Sequence, residues 1–268
     1  DSDSAPTLHA LAREGVSAPQ GMIPSFPTVT FPNWYAMATG LYPDHSGIVN
    51  NRFYDPAYAD EFIYKNAIAH EAHWWGGEPI WVTATKQGTL VGMMFWVGSD
   101  APIMGVRPAH WHWYDHAIPF SARSDTLLSW IDLPPGKRPR LLMGYFEEPD
   151  TQGHIHGPDA PETRAAVLRV DSALAQLTAG LRARTLYDSV DIVIVSDHGM
   201  AAISPERRVY LDDYVDSANV NVVNMSPNLM IGARDGNDDA LLARLAKMPH
   251  LKVWKKADAP ARLHYGAN

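Results

Sequence analysis

Two apolar runs, each ending in acidic residues, constrain the fold of this chain most strongly. The first run, RPRLLMGYFEEPD, ends at Asp150, and the second, VDIVIVSDHGM, contains Asp197 and His198. Short continuous apolar runs are typical of buried strands in a parallel sheet. Between them, residues 160–184 carry apolar side chains at helical spacing. We expect alternating strands and helices to follow to the C-terminal end of the chain. This alternation predicts an α/β fold with a mostly parallel central sheet and helices on both faces.

Further helices are predicted over residues 4–15, 33–39 and 121–131, with Pro32 at the first position of the second. Residues 52–122 hold most of the tryptophans together with many prolines and glycines, and we expect this segment to shape a pocket. No repeat or linker divides the chain. We therefore expect one catalytic domain over residues 1–268.

Composition excludes several classes of protein. The net charge is −8 and the isoelectric point about 5.8, so binding to a nucleic-acid duplex through bulk charge is not expected. There is no cysteine, which excludes disulfides and thiolate metal sites. No apolar run reaches the length of about 18 residues that suggests a membrane span, and no signal peptide is visible.

The ends of the two predicted strands carry metal-binding chemistry. Asp150 and His154 lie four residues apart, and Asp197 and His198 are adjacent. Carboxylate and imidazole ligands suit Zn²⁺, and two metals about 3.5–4 Å apart can bind both sides of a phosphoryl group. The alternative is an aspartate that caps a helix beside a surface histidine. Two such pairs favour a metal site, whereas His156 is expected outside the ligand set.

A hydroxyl precedes a predicted helix in the stretch FPTVTFPN. Thr30 is placed where a metal could lower its pKa and where the helix N-terminus could bind phosphoryl oxygens. Taken alone, Thr30 is a good candidate for an N-cap residue. Taken with the two Asp-His pairs, it becomes a candidate nucleophile.

Five blocks of sequence together resemble the nucleotide pyrophosphatase/phosphodiesterase family of the alkaline phosphatase superfamily. They span nearly the whole chain in the family's order and read PTVTFPNWYAMATGLYPDHSGIVNNRFYDP, FWVGSDAPI, EEPDTQGHIHGP, VSDHGM and LHYGAN. The resemblance implies an alkaline phosphatase-like fold. It also implies a two-zinc hydrolase that releases nucleoside 5′-monophosphate through a covalent phosphothreonine.

The resemblance also assigns roles to individual residues. Thr30 would be the nucleophile and bridge both zinc ions, and Asn51 would donate a hydrogen bond to a phosphoryl oxygen. Asp150 with His154 would bind one zinc ion, and Asp197 with His198 the other. Phe31 and Tyr145 would sandwich the nucleobase. From the sequence alone, Asn51 would be read as a turn residue and the two aromatic residues as core.

The chain departs from the family pattern at both ends. The family's first ligand aspartate closes a strand upstream of the helix near Ser4, and Asp1 and Asp3 are too close to that helix to replace it. The family's last ligand histidine follows the LHYGAN block, which here ends the sequence. We therefore expect a piece of a longer enzyme, truncated at both ends.

Other functions stay open. Phosphomonoesterases neutralise an additional phosphate charge, yet residues 95–113 offer only Arg107 as a cation, which favours diesters. A lipid-headgroup phosphodiesterase would use the tryptophan-rich segment, and a non-catalytic protein could bind phosphorylated ligands. A sulfatase is disfavoured because its nucleophile derives from cysteine or serine. Vertebrate extracellular members of the family that the chain resembles carry disulfide-linked flanking domains, and this chain has no cysteine. The resemblance therefore implies a bacterial member that is periplasmic or secreted, and its oligomeric state is left open.

Overall fold

The computed structural model describes residues 5–266. Its helices, in chain order, are α1 (Pro6–Glu14), α2 (Thr30–Thr39), α3 (Pro43–Ser46), α4 (Ile80–Lys86), α5 (Phe120–Ile131), α6 (Asp150–His156), α7 (Pro161–Ala183) and α8 (Asp238–Leu245). Its strands are β1 (Arg52–Asp55), β2 (Asp60–Ile63), β3 (Val91–Met94), β4 (His110–Trp111), β5 (Leu141–Gly144), β6 (Val220–Asn224) and β7 (Met230–Ala233). None of these helices is long and apolar enough to cross a bilayer.

The described chain forms two compact units. The first unit contains residues 5–23 and 80–202, and the second contains residues 24–79 and 203–266. The aromatic-rich segment over residues 52–122 is divided between them, so its pocket-forming role stays a prediction.

The first unit is built on a parallel sheet with strand order β4-β3-β5. Helix α5 packs against β3 and β5, and α7 packs against α5. Gly92 permits the approach of α5, because a Cβ atom there would lie 2.8 Å from the Trp130 ring. Gly180 permits the approach of α7 to α5, since a Cβ atom at this position would lie 2.4 Å from a methyl group of Leu128. Close helix packing thus supports β5, the strand that precedes the candidate ligand Asp150.

The second unit contains two antiparallel strand pairs, β1-β2 and β6-β7. Phe53 and Phe62 face each other across the first pair with ring centroids 5.0 Å apart. Helix α8 packs on β7, and Leu241 and Leu245 of this helix join a buried apolar cluster. The helix α2, which begins at Thr30, belongs to this unit.

Most predicted elements are confirmed. The α/β class is present as a parallel sheet with packed helices, and α1, α5 and α7 lie within one or two residues of the predicted bounds. The alternation predicted near the C-terminal end is wrong, because β6 and β7 pair directly as antiparallel neighbours. Asp1 and Asp3 lie outside the described residues.

Two local predictions are wrong. The run VDIVIVSDHGM has no strand assignment, and Val193 is 82% exposed. A strand requires hydrogen bonds from a neighbouring strand, and no described strand pairs with this run. Helix α2 begins at Thr30 rather than at Pro32, so the proline is its third residue.

Candidate active site

The first Asp-His pair lies on α6, directly after β5. Asp150 is the first residue of this helix, and His154 follows one turn later. The i,i+4 spacing places both side chains on one helix face, where His154 Nε2 lies 3.4 Å from Asp150 Oδ1. The His154 side chain is 72% exposed, so it can rotate toward a ligand without unpacking the unit.

The second Asp-His pair lies in the loop after residue 195 and is more enclosed. His198 Nε2 lies 3.2 Å from Asp197 Oδ2 and 4.0 Å from Asp150 Oδ1. The other ring nitrogen, His198 Nδ1, is 2.9 Å from the carbonyl oxygen of Gly199. If Nδ1 donates to that carbonyl, Nε2 is the nitrogen that can bind a cation.

A close contact between Gly153 and Met200 brings the two pairs together. A Cβ atom at Gly153 would lie only 2.4 Å from Met200 Sδ, so any larger residue would displace the methionine. Gly153 is buried in the middle of α6, and Met200 follows the second pair by two residues. The glycine therefore sets the distance between helix α6 and the loop that carries Asp197 and His198.

The two pairs fit zinc in donor type and spacing. Two ligand atoms bound to one tetrahedral zinc ion lie about 3.3 Å apart, and the pairs show 3.4 and 3.2 Å. Asp150 Oδ1 is buried and accepts no hydrogen bond, so its lone pairs are available to bind a cation. Within residues 5–266, no three or more His, Asp or Glu side chains form a complete metal cage. The ligand assignments therefore stay predictions.

Burial and negative charge shift the acidities at this end of the sheet. Burial raises the pKa of the Asp197 carboxyl; His198 opposes this shift, whereas the nearby Asp150 adds to it. Burial also raises the pKa of the Tyr145 phenol, and the carboxylates Asp197, Glu147 and Asp150 add to the increase. A site that destabilises its own negative charges in this way favours a bound cation.

Thr30 opens helix α2 in the second unit. Val29 is the N-cap residue in an extended conformation, and its own side chain forms no capping hydrogen bond. The reading of Thr30 as an N-cap is wrong, because Thr30 already has helical geometry. Its side chain is half-buried at a helix N-terminus, where the helix dipole favours anions.

Two consecutive asparagines lie beside this helix start. The Phe31 N–H donates to Asn51 Oδ1 at 2.9 Å, which leaves the Asn51 Nδ2 group as a donor. The neighbouring Asn50 is fully buried and accepts from the Asn51 N–H at 2.8 Å. Asn50 also donates to Asn228 Oδ1 at 3.1 Å. Asn50 therefore anchors the turn that presents Asn51.

Asn33 holds the loop that leads into Thr30. Its Oδ1 accepts from the Ser25 N–H at 2.7 Å, and its Nδ2 donates to the carbonyls of Pro27 and Val29 at 3.0 and 2.9 Å. Asn33 is only 3% exposed. One buried amide thus fixes the backbone immediately before the candidate nucleophile.

The two predicted base-binding aromatics belong to different units. Phe31 is half-buried and contacts Phe62, Tyr64 and Trp75 with centroid distances of 5.3–6.0 Å. Tyr145 is half-buried at the exit of β5, and its ring lies 6.1 Å from that of Tyr114. Each ring is supported within its own unit, and the predicted sandwich stays a prediction.

Comparison with known proteins identifies the family. The family model described as type I phosphodiesterase / nucleotide pyrophosphatase matches residues 1–268. The chain belongs to this family. A venom phosphodiesterase of Crotalus durissus collilineatus is 38% identical over 253 residues, covering 91% of this chain and 30% of the relative. Ectonucleotide pyrophosphatase/phosphodiesterase family member 1 of Homo sapiens is 37% identical, covering 92% of this chain and 28% of the relative.

Solved structures of the family confirm the fold. Murine ectonucleotide pyrophosphatase/phosphodiesterase 5 matches with a TM-score of 0.94 and 31% identity, covering 98% of this chain and 70% of that chain. An inactive threonine-to-alanine variant of the same murine protein, in complex with AMP, matches with a TM-score of 0.94 and 30% identity over the same shares. The chain spans about a third or less of the length of the curated relatives above.

The sequence motifs named the candidate reactive groups but not the residues that hold these groups in place. Asn33, Asn50 and Gly153 were missed, because a sequence does not show which amide is buried or which glycine touches another segment. A signal existed for Asn50, which directly precedes Asn51, and for Asn33, which follows a proline at a helix start.

Proposed function

We propose that this chain is the catalytic part of a hydrolase that cleaves phosphodiester or pyrophosphate bonds of nucleotides and releases nucleoside 5′-monophosphate. The observation that carries the proposal is the position of Thr30. Its hydroxyl lies at the N-terminus of α2, one residue before the Phe31 N–H that donates to Asn51 Oδ1 and so orients the Asn51 amide. A helix start with an oriented amide donor is suited to bind a phosphoryl group.

Thr30 would act as the nucleophile. Its Oγ would form a bond to phosphorus and release its proton to solvent, and the bond from phosphorus to the leaving oxygen would break. Water would then add to phosphorus, and the Oγ–phosphorus bond would break to restore the threonine. The intermediate is a nucleotide joined to Thr30 through its phosphate. Support comes from the murine relative, whose inactive threonine-to-alanine variant is in complex with AMP.

Asn51 and the start of α2 would stabilise the reacting phosphoryl group. The Phe31 N–H holds Asn51 Oδ1, so the Nδ2 group is the part of this side chain that can donate to a phosphoryl oxygen. Hydrogen-bond donors oriented before the reaction need no reorganisation as charge develops. Phe31 and Tyr145 offer ring surfaces for a nucleobase.

Zinc is part of the proposal. Asp150 and His154 would hold one ion, Asp197 and His198 a second, and Thr30 would contact both. When bound, the two ions would lower the pKa of the threonine hydroxyl and neutralise charge on phosphoryl oxygens. The spacing within each pair and the buried Asp150 Oδ1, which accepts no hydrogen bond, support this assignment.

The test compares two threonines at opposite ends of α2. Thr30→Ala should abolish turnover of a nucleoside 5′-(p-nitrophenyl phosphate), while the zinc content of the protein stays at or near the wild-type value. Thr39→Ala is the matched control, because the Thr39 hydroxyl bonds only to local backbone, donating to the Tyr35 carbonyl and accepting from the Leu41 N–H. Retained activity in Thr30→Ala would refute the proposal.

Further measurements separate the alternatives. A higher rate with p-nitrophenyl phosphate than with the nucleotide diester would indicate a phosphomonoesterase. A preference for glycerophosphocholine would indicate a lipid-headgroup enzyme. Binding of AMP without any turnover in excess zinc would indicate a non-catalytic protein. We also propose a periplasmic or secreted location, which cell fractionation would test.

A further inference from the structure

A fully buried arginine lies beside the segment that leads from β5 to the candidate metal site. Arg123, in the first turn of α5, has no exposed surface. Its guanidinium pairs with the Glu147 carboxylate through two nitrogens, and the Glu147 side chain is only 19% exposed. Burial of a charged side chain costs free energy unless the charge is paired and hydrogen-bonded. The position of Arg123 therefore indicates a specific structural or functional role.

Three phenylalanine rings enclose this guanidinium. Its carbon lies 5.1 Å from the ring centroid of Phe95, 4.8 Å from that of Phe120 and 6.0 Å from that of Phe146. Cation–π contacts of this kind are strongest where water is excluded. The rings therefore restrict the guanidinium to one orientation, from which its donors point at defined acceptors.

The donors of Arg123 bind the backbone at the end of β5. Nη1 donates to the Tyr145 carbonyl at 3.0 Å as well as to Glu147, and Nε donates to the Ile118 carbonyl at 3.1 Å. The Tyr145 N–H donates to the Met94 carbonyl at 3.0 Å. Both backbone polar groups of Tyr145, its N–H and its carbonyl, are thus hydrogen-bonded, and Arg123 also binds the Glu147 carboxylate two residues later.

Residues 145–150, which we call the exit segment, carry two candidate functional groups. Tyr145 begins the segment and Asp150 ends it as the first residue of α6. Arg123 contacts the exit segment at two points, yet it has no exposed surface with which to reach a substrate. Its effect on a substrate must therefore pass through the residues that it holds.

We propose that Arg123 is a positioning residue that fixes the Tyr145 ring for nucleobase binding. This inference rests on the proposed function, in which Tyr145 binds the base. Without the guanidinium, the Tyr145 carbonyl loses a hydrogen-bond donor and the exit segment becomes mobile. Binding of a base on the ring should weaken, while the reacting phosphoryl group, which Thr30 and Asn51 contact, should be affected less.

The kinetic test compares substrates with and without a nucleobase. In Arg123→Met, the KM for thymidine 5′-(p-nitrophenyl phosphate) should rise about tenfold. A rise of this size is expected when one stacking contact between an aromatic ring and a base is partly lost. The kcat/KM for methyl p-nitrophenyl phosphate, which has no base, should change by less than about twofold. Arg123→Lys keeps the charge but not the forked donor geometry, so it should restore only part of the loss.

A double variant separates an effect on the position of the Tyr145 ring from an effect on the stability of the fold. Replacing both members of a buried ion pair with apolar residues often restores stability that removal of one member costs. Arg123→Met/Glu147→Met should therefore unfold at a urea concentration near that of the wild type, yet keep the raised KM. Arg184→Met is the matched control, because Arg184 also pairs with a carboxylate through two nitrogens, in this case Asp132, away from the exit segment.

Amide hydrogen exchange gives a readout that does not depend on activity. Peptides that cover the exit segment should exchange faster in Arg123→Met than in the wild type and in Arg184→Met. Unchanged exchange in this segment, or an equal loss of kcat/KM for both substrates, would overturn the inference. If the wild type hydrolysed neither substrate, the proposed function would fail, and the exchange measurement would still decide whether Arg123 orders the exit segment.

Discussion

Removal of the Asn33 side chain is expected to destabilise the second unit and displace Thr30. Asn33 makes three short hydrogen bonds to the backbone of Ser25, Pro27 and Val29, and it is almost fully buried. A fourth contact, to the Ser25 carbonyl at 3.4 Å, is long and adds little. In Asn33→Ala, one partly buried N–H would lose its side-chain partner, and the carbonyls of Pro27 and Val29 would each keep only a backbone donor.

The expected loss follows from the number of bonds. A hydrogen bond of this kind contributes about 0.5–1.5 kcal/mol net, so three bonds sum to about 1.5–4.5 kcal/mol of unfolding free energy. The matched control is Asn224→Ala in the same unit. Asn224 Nδ2 also donates to two carbonyls, those of Ser226 and Asn228, but one of these bonds is exposed. We expect that control to lose less than about 1 kcal/mol.

Urea unfolding followed by tryptophan fluorescence provides the assay. Trp34 and Trp75 are buried in the same unit and should report its loss. A fall in kcat should accompany the loss of stability in Asn33→Ala, because the backbone before Thr30 is released. The reasoning would be refuted if Asn33→Ala unfolded at the same urea concentration as the Asn224→Ala control.

Three further predictions concern the metal and the buried tyrosine. Gly153→Ala should lower the zinc content measured by atomic emission, because the added Cβ would displace Met200. The double variant Gly153→Ala/Met200→Ala should regain zinc, and an unchanged zinc content in Gly153→Ala would contradict the prediction. Chelation with EDTA should abolish turnover and leave the far-ultraviolet circular dichroism unchanged, and added zinc should restore turnover. Turnover that persists after removal of the metal would contradict the zinc assignment. Burial raises the pKa of Tyr265 to about 12, so the unfolded chain releases this proton first and stability should fall as the pH rises from about 10 to 12. Tyr265→Phe should make this fall in pH-dependent urea unfolding shallower without removing it, because burial also raises the pKa of Tyr35 and Tyr145. An equally steep fall in Tyr265→Phe would contradict the contribution of Tyr265.

The sequence contained enough information for the α/β class, and it named candidate reactive groups whose roles stay predictions. Apolar runs, helical spacing and the Asp-His pairs depend on local pattern, which a single chain displays directly. The strand predicted at VDIVIV failed because a strand is defined by its neighbour, and apolar composition does not supply the pairing partner. The start of α2 was predicted two residues late because Pro32 is tolerated anywhere in the first turn, where its missing N–H costs nothing.

The supporting residues could not be predicted because their roles depend on burial. Arg123 follows the apolar spacing of α5, four residues before the buried Leu127, so its burial was detectable in principle. Its acceptors at Tyr145 and Glu147 lie more than twenty residues away, and only the folded chain brings them together. The same holds for Asn50, whose partner Asn228 is distant in sequence.

The most direct test of the central claim is to trap the intermediate on Thr30. The protein would be mixed with a nucleoside 5′-(p-nitrophenyl phosphate), quenched in acid within milliseconds, digested and sequenced by tandem mass spectrometry. We predict a nucleoside monophosphate attached to Thr30 in the peptide that contains FPTVTFPN, and its absence in Thr30→Ala. Steady turnover with no adduct on Thr30, or with the adduct on a different residue, would contradict the account.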